Sequence, residues 1–244
     1  MIRQGTYNKQ FIIIVKDKIK QLLFIISFQK YQKRKWLKQA KSIEEKWNIC
    51  NELLGVHQNK FEIISFVKLL EQEQFMPEVL MEIGTANGGN NLFLASCLPS
   101  VQLVIGIDLY VKNTTQIHFY LKGKRVNCIN GSSYDPLIIE KVKKIIRGYN
   151  KCLIFIDGDH RYEGVKADYE GYKQLLGDET CFAFHDIVPD SFIRYGEISN
   201  MWVGEVPFFW NDLKALEKNA IEIIEDTEQN GLGIGVLLPH YTKG

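Results

Sequence analysis

From Val79 onward, short apolar runs rich in β-branched residues alternate with longer stretches in which apolar positions recur at helical spacing. The runs near Val79–Gly84, Gln102–Asp108, Val126–Asn130, Cys152–Asp157 and Thr180–Asp186 predict strands. Between them, Glu163–Leu176 places Val165, Tyr169, Tyr172 and Leu176 on one face and Lys166, Glu170 and Lys173 on the other, as a crossover helix does. Strands alternating with such helices predict a doubly wound α/β core with a parallel sheet. After a helix near Phe208–Lys218, the runs Ala220–Glu225 and Leu232–Leu238 flank Asn230 and Gly231, which predicts a closing β-hairpin.

Upstream the pattern is helical only, near Ile43–Leu54 and Phe61–Gln72. We therefore expect a helical extension or cap over residues 1–76 and the α/β domain over 77–244. Residues 1–40 stand apart, rich in Lys, Ile, Phe and Gln, and close with Lys30, Lys33, Arg34, Lys35 and Lys38. The commoner reading of such a segment is an amphipathic helix covering the core or a dimer face, which makes a homo-oligomer one expectation. The alternative is peripheral contact with an anionic membrane.

Composition narrows the function classes. At 244 residues the chain is too short for two full domains and long enough for a substantial core. With 30 Lys and Arg against 29 Asp and Glu, no global field points to nucleic acid as a partner. Cys50, Cys97, Cys128, Cys152 and Cys181 form no C-x-x-C pair and sit mostly in apolar runs, so reduced thiols and a cytoplasmic location are expected. Lys16, Asp17, Lys18 and Lys20 split the apolar run Phe11–Val15 from Leu22–Phe28, short of the roughly eighteen residues a membrane span needs. No small-residue cleavage site follows the second run, so a cleaved signal peptide is not expected.

Chemistry concentrates where predicted strands end. Met81-Glu82-Ile83-Gly84-Thr85-Ala86-Asn87-Gly88-Gly89-Asn90 is an apolar strand running into a glycine-rich turn that opens a helix. Such turns let a nucleotide approach the backbone at the carboxyl edge of a parallel sheet, although the spacing is not G-x-G-x-x-G. Ile105-Gly106-Ile107-Asp108 ends in an acid 24 residues after Gly84, near the spacing at which a carboxylate grips a ribose diol. A strand-end cap bonding backbone amides is the plainer role for that Asp. Leu153-Ile154-Phe155-Ile156-Asp157-Gly158-Asp159-His160 and Ala183-Phe184-His185-Asp186 close two further strands, so Asp157 and Asp186 can converge on one edge. Hard oxygen ligands held there suit Mg²⁺ or Mn²⁺.

On these motifs, together with Asn130–Asp135 and the run Phe155–Val165, the chain resembles the class I methyltransferases. The resemblance is to the group related to sugar and natural-product O-methyltransferases and cephalosporin hydroxylase-type proteins. It spans about Val79–Leu238 and implies a Rossmann-like, seven-stranded, mostly parallel sheet. It also implies S-adenosyl-L-methionine as cofactor: Glu82, Gly84, Thr85 and Gly88 at the methionine part, Asp108 at the ribose, Ser133 and Tyr134 at the adenine, and Asp157 beside them. Asp157 and Asp186 would bind a divalent cation. Relatives often carry a carboxylate where this chain has His185, so His185 is either the third metal ligand or a support for Asp186.

The implied function is metal-assisted O-methylation of a hydroxyl on a sugar, glycan or small natural product. The sulfonium carbon is already electrophilic, so the protein must align an acceptor oxygen and remove its proton. His160 and Asp159 are the candidate bases, with His160 preferred because an imidazole titrates near working pH. Among the aromatics, Tyr110, Tyr162, Trp202, Phe208, Phe209 and Trp210 could stack on an acceptor or fill the core. Residues 187–205, with Asp190 and Arg194, read as an active-site loop. Three rival readings remain. One is a D-x-D nucleotide-sugar glycosyltransferase using Asp157-Gly158-Asp159. A nicotinamide-dependent dehydrogenase is disfavoured by the missing glycine motif. The third is a non-catalytic methyltransferase-like binding module.

Overall fold

A computed structural model describes residues 15–239 apart from 17, 25, 26, 28, 177 and 178. The N-terminal region is helical: α1 within residues 15–24, α2 (Gln29–Gln39), α3 (Ile43–Leu54) and α4 (Lys60–Gln72). Ser42 caps α3 through its hydroxyl, and Asn59 caps α4 by accepting from the amides of Phe61 and Glu62. Then come β1 (Val79–Ile83), α5 (Gly89–Cys97), β2 (Leu103–Asp108), α6 (Thr114–Tyr120), β3 (Arg125–Asn130) and α7 (Pro136–Ile145). The second half holds β4 (Cys152–Ile156), α8 (Tyr162–Leu176), β5 (Thr180–His185), α9 (Ser191–Tyr195), α10 (Val206–Leu216), β6 (Ala220–Ile223) and β7 (Ile234–Leu237).

The seven strands form one sheet in the order β3-β2-β1-β4-β5-β7-β6, parallel except for β7, which runs antiparallel to β5 and β6. The α/β class, the strand number and the closing antiparallel pair are as expected. The hairpin differs in detail: both strands are shorter than their apolar runs, and residues 224–233 connect them as a long excursion instead of a two-residue turn. Strand order reverses between β1 and β4, so their carboxyl ends flank a crevice where a ligand can lie.

Each strand alternates its side chains between two cores. Val79, Met81 and Ile83 join Ile105, Ile154 and Phe184 under α8 and α10, whereas Leu80, Val104, Leu153 and Phe155 meet α4 and α5. The helical extension contributes to that second core. Ile63, Phe66, Val67 and Leu70 of α4 are buried, with Phe66 edge-on to Phe155 at 6.0 Å. Glu62, also fully buried, accepts from the Gly233 amide at 2.9 Å and from Gln229 Nε2 at 2.7 Å, which ties α4 to the β6–β7 connection.

Candidate active site

The glycine turn sits where two strand ends cross. Gly84 has φ +85°, and a Cβ on it would come within 1.7 Å of the Asp157 carbonyl oxygen, so neither its backbone angle nor its surroundings admit a side chain. Gly88, at φ +82°, caps α5 in the left-handed region, with Ile117 packed where a Cβ would stand. The α5 N-terminus thereby opens toward a cleft of about 730 Å³. Glu82, Gly84, Thr85, Asp108, Ser133, Tyr134, Asp157, Asp159 and His160 all line it, which brings together most of the candidate cofactor residues and both candidate bases, whereas His185 and Asp186 are not among the lining residues. Gly88 stands just behind, at the start of α5.

In the half formed by β1 and β2, the backbone defines the site. Glu82 is buried and accepts from Asn90 Nδ2 at 2.8 Å. Burial pushes its carboxyl well above the usual range, reinforced by the nearby charges of Asp157 and Asp108 and opposed by the Asn90 bond. Asp108 makes the strand-end cap considered above: Oδ2 accepts from the Ala86 amide at 2.8 Å and Oδ1 from the Tyr110 amide at 2.9 Å. Each oxygen keeps a second lone pair, so the cap fixes the carboxylate without using it up. Ala86 is held at φ +45°, a strained angle for a residue with a Cβ.

At the ends of β4 and β5, side chains define it. Asp157 Oδ1 lies 3.2 Å from His185 Nδ1 and 3.5 Å from His160 Nε2, and Oδ2 accepts from Gln58 Nε2 at 2.8 Å. His185 Nδ1 also lies 3.4 Å from Asp186 Oδ1, so one imidazole edge faces both carboxylates while its Nε2 is buried without a partner. Asp186 adopts φ +63°, a second strained angle at the site. Asp157, His160 and Asp186 each offer a ligand atom, and the three atoms lie within 4.8 Å of one another. The two carboxylates offer hard oxygens that suit a small divalent cation, and the His160 imidazole stands beside them.

His160 is fixed from three sides. Trp202 stacks on it at 5.2 Å, and its Nδ1–H donates to the Trp202 carbonyl at 2.7 Å. In the neutral ring that bond leaves Nε2 with the lone pair. Burial works against the charged imidazole, but the hydrogen bond and charge of Asp157 outweigh it and raise the pKa above its ordinary value. His185 follows the same balance, with burial overcome by the charges of Asp157 and Asp186. Burial disfavours the Asp157 carboxylate, yet the two imidazoles more than compensate and lower its pKa.

The geometry separates the two candidate bases. Asp159 is gripped by Arg161, with Nε at 3.0 and 3.1 Å and a short bond from Nη2, and accepts from the Tyr134 hydroxyl at 3.2 Å. Those Arg161 bonds hold its carboxyl down at about 2 and engage both of its oxygens, whereas among the described residues no cation pairs with His160. Several other candidates are buried or already have partners within the fold. Asp190 caps α9, Arg194 bonds the Thr227 carbonyl at 2.9 Å, Trp210 is buried with its indole on Glu222, and Tyr162 donates to Asp212. Phe209 is buried too. Trp202 and Phe208, by contrast, are exposed along a second, apolar cleft of about 730 Å³ that shares Trp202 with the first.

Residues missing from the sequence reading come from the α3–α4 loop. Gly55, His57 and Gln58 line the main cleft, His57 with Nε2 accepting from Asn87 Nδ2 at 3.1 Å. Nothing local marks them, since Gln58 meets Asp157 across 99 positions. His118 lies on α6 away from the cleft, and His240 falls outside the described residues.

Known proteins resemble this chain in sequence and in fold. Residues 53–206 match the family described as Rhamnosyl O-methyltransferase/CmcI, a match that begins inside the helical extension and takes in the α3–α4 loop. An uncharacterized protein of Acanthamoeba polyphaga mimivirus is 27% identical over 165 residues, covering 64% of this chain and, at 66%, just under two thirds of that protein. Among solved structures, an O-methyltransferase from Bacillus cereus in complex with S-adenosylhomocysteine superposes at TM-score 0.52 and 19% identity, over 82% of this chain and 91% of its own. A putative caffeoyl-CoA O-methyltransferase from Staphylococcus aureus gives 0.53 and 19% over 81% and 93%. The O-methyltransferase TomG from Streptomyces achromogenes, in complex with S-adenosylmethionine, gives 0.51 and 13% over 82% and 91%. At these identities the structures are alike in fold.

Proposed function

We propose that this chain, which belongs to the rhamnosyl O-methyltransferase/CmcI family, methylates a hydroxyl of a sugar, glycan or small natural product with the help of a divalent cation. Family membership makes it an S-adenosylmethionine-dependent methyltransferase of class I; the acceptor and the cation are our reading. The observation that carries it is the meeting of Asp157, His160 and Asp186 within 4.8 Å beside the glycine-lined cleft.

Residues of the cleft divide the work. Gly84 and the start of α5 would let the cofactor approach the backbone, Glu82 and Asp108 would offer side-chain oxygens to its polar groups, and Ser133 and Tyr134, which also line the cleft, would take the adenine. Asp157 and Asp186 would hold the cation, which when bound fixes an acceptor oxygen and lowers its pKa. His185 supports both carboxylates from behind through Nδ1. His160 Nε2 takes the acceptor proton, its ring steadied by Trp202 so that the lone pair stays aimed into the site.

A direct test measures S-adenosylhomocysteine release from S-adenosylmethionine with catechols and simple glycosides as acceptors, in EDTA and after adding Mg²⁺ or Mn²⁺. Cation-dependent release, lost in Asp186→Ala and in His160→Gln, is the expected result. Equal rates in EDTA would remove the cation from the account. Stabilisation by a nucleoside-diphosphate sugar, with none by S-adenosylhomocysteine, would favour the glycosyltransferase reading.

A further inference from the structure

Away from the cleft, the N-terminal face carries features that water does not explain. On α1, Val15, Ile19, Leu22 and Leu23 recur at positions i, i+4, i+7 and i+8 and are all exposed, from 38% to 62%. The same helix faces inward at Phe24, whose ring meets Phe119 at 5.5 Å and Tyr120 at 5.7 Å edge-on. Its apolar stripe therefore points outward while its seat on the body is already made. Lys16, Lys18 and Lys20 flank the stripe, and α2 adds exposed Lys35, Lys38, Tyr31 and Trp36. Between the two helices, Lys20, Lys30 and Lys33 line a groove of about 300 Å³ together with Ser27 and Gln29. Lys33 there also pairs with Glu52 at 2.9 Å.

Charge is distributed to match. Residues 1–40 contain ten of the chain's 30 Lys and Arg and a single acid, Asp17, of its 29, leaving 20 basic and 28 acidic residues in the rest. The near-neutral total conceals one basic end on an acidic body.

We propose that this face docks on the surface of an anionic lipid bilayer. The stripe of Val15, Ile19, Leu22 and Leu23 enters the boundary between headgroups and acyl chains, Tyr31 and Trp36 lie at headgroup level, and the groove beside Lys20 and Lys33 receives a lipid phosphate. An apolar stripe bordered by lysines and interfacial aromatics is the combination that such a surface binds. A second copy fits worse, because an isologous contact would set the two basic faces against each other. A nucleic acid would leave the aliphatic stripe in water. The assignment stands apart from the chemistry of the cleft.

Co-sedimentation of the full chain with vesicles tests it, comparing pure phosphatidylcholine with phosphatidylcholine containing about 30 mol% phosphatidylglycerol. We expect binding at least about tenfold tighter to the anionic vesicles, weakened by added salt. Lys35→Glu with Lys38→Glu, and separately Leu22→Gln with Leu23→Gln, should each reduce binding by about tenfold or more while leaving the melting temperature unchanged, since all four side chains are exposed. Equal binding to both vesicles, no binding to either, or variants that fold and bind as the parent does would overturn the proposal. So would a dimer in light scattering that the Leu22→Gln and Leu23→Gln pair dissolves.

Discussion

The two halves of the cleft are built by different means. Around β1 and β2 the backbone makes the site: Gly84 has no room for a Cβ, and the Asp108 oxygens are pinned by the amides of Ala86 and Tyr110. Around β4 and β5 side chains make it, with Asp157 reached by His160, His185 and Gln58 from three separate segments. A backbone site is specified by local sequence and cannot easily be tuned. A side-chain site depends on distant elements and can change its metal or its base by single substitutions.

This contrast predicts distinct responses. The largest effect belongs to the side-chain half: Asp186→Ala should lower kcat by about a thousandfold or more while S-adenosylhomocysteine affinity changes only a few-fold, as calorimetry and steady-state rates would show. A parallel loss of cofactor binding would mean that the halves are not separable. In the backbone half, Gly84→Ala should destabilise the fold by several kcal/mol, read by thermal melting, because two main-chain segments must part to admit the Cβ. Asp108→Ala should weaken cofactor binding by about ten- to a hundredfold and cost about 1–3 kcal/mol of stability, because the Ala86 and Tyr110 amides lose their acceptor. Gln58→Leu sharpens the contrast further. It should weaken Mn²⁺ binding, followed by electron paramagnetic resonance of the unloaded protein, by about tenfold and leave S-adenosylhomocysteine affinity unchanged.

The smallest effect concerns Asp168, buried on α8 behind Gly158 and outside both halves. Burial raises its carboxyl to about 7, partly countered by Ser133 and reinforced by Asp159. A folded-state pKa above the unfolded value means the native state holds the proton more tightly. Stability is therefore lost as pH climbs from about 4 toward 7. Asp168→Asn should raise the melting temperature by a few degrees at pH 8 and by almost nothing at pH 4.5. An equal gain at both values would remove the carboxylate's titration as the cause.

The same contrast explains what could be read from the sequence. The strands, their order of chemistry and the glycine turn were legible because Met81–Asn90 and Ile105–Asp108 are contiguous and their spacing has direct physical meaning. Asp157, His185 and Asp186 were legible as a group because they close two predicted strands, and His160 because it follows Asp157 in the same run. Their division of roles was not. That Asp159 is taken by Arg161, two positions on, needed the turn that folds the guanidinium back, and that His160 is aimed by the Trp202 carbonyl needed the loop after β5 to return. Gln58 was invisible because its loop reaches the site only once α4 has packed on β6 and β7. Among the described residues no helix is long and apolar enough to cross a membrane.

The most direct test of the account is isothermal titration of S-adenosylhomocysteine into the purified chain and into Asp108→Ala and Asp186→Ala, with and without Mn²⁺. The account predicts micromolar affinity for the parent and for Asp186→Ala, a marked loss in Asp108→Ala, and a separate Mn²⁺ binding event that only Asp186→Ala abolishes. No binding to the parent under either condition, or losses that fall equally on both variants, would contradict a cleft whose halves hold cofactor and cation separately.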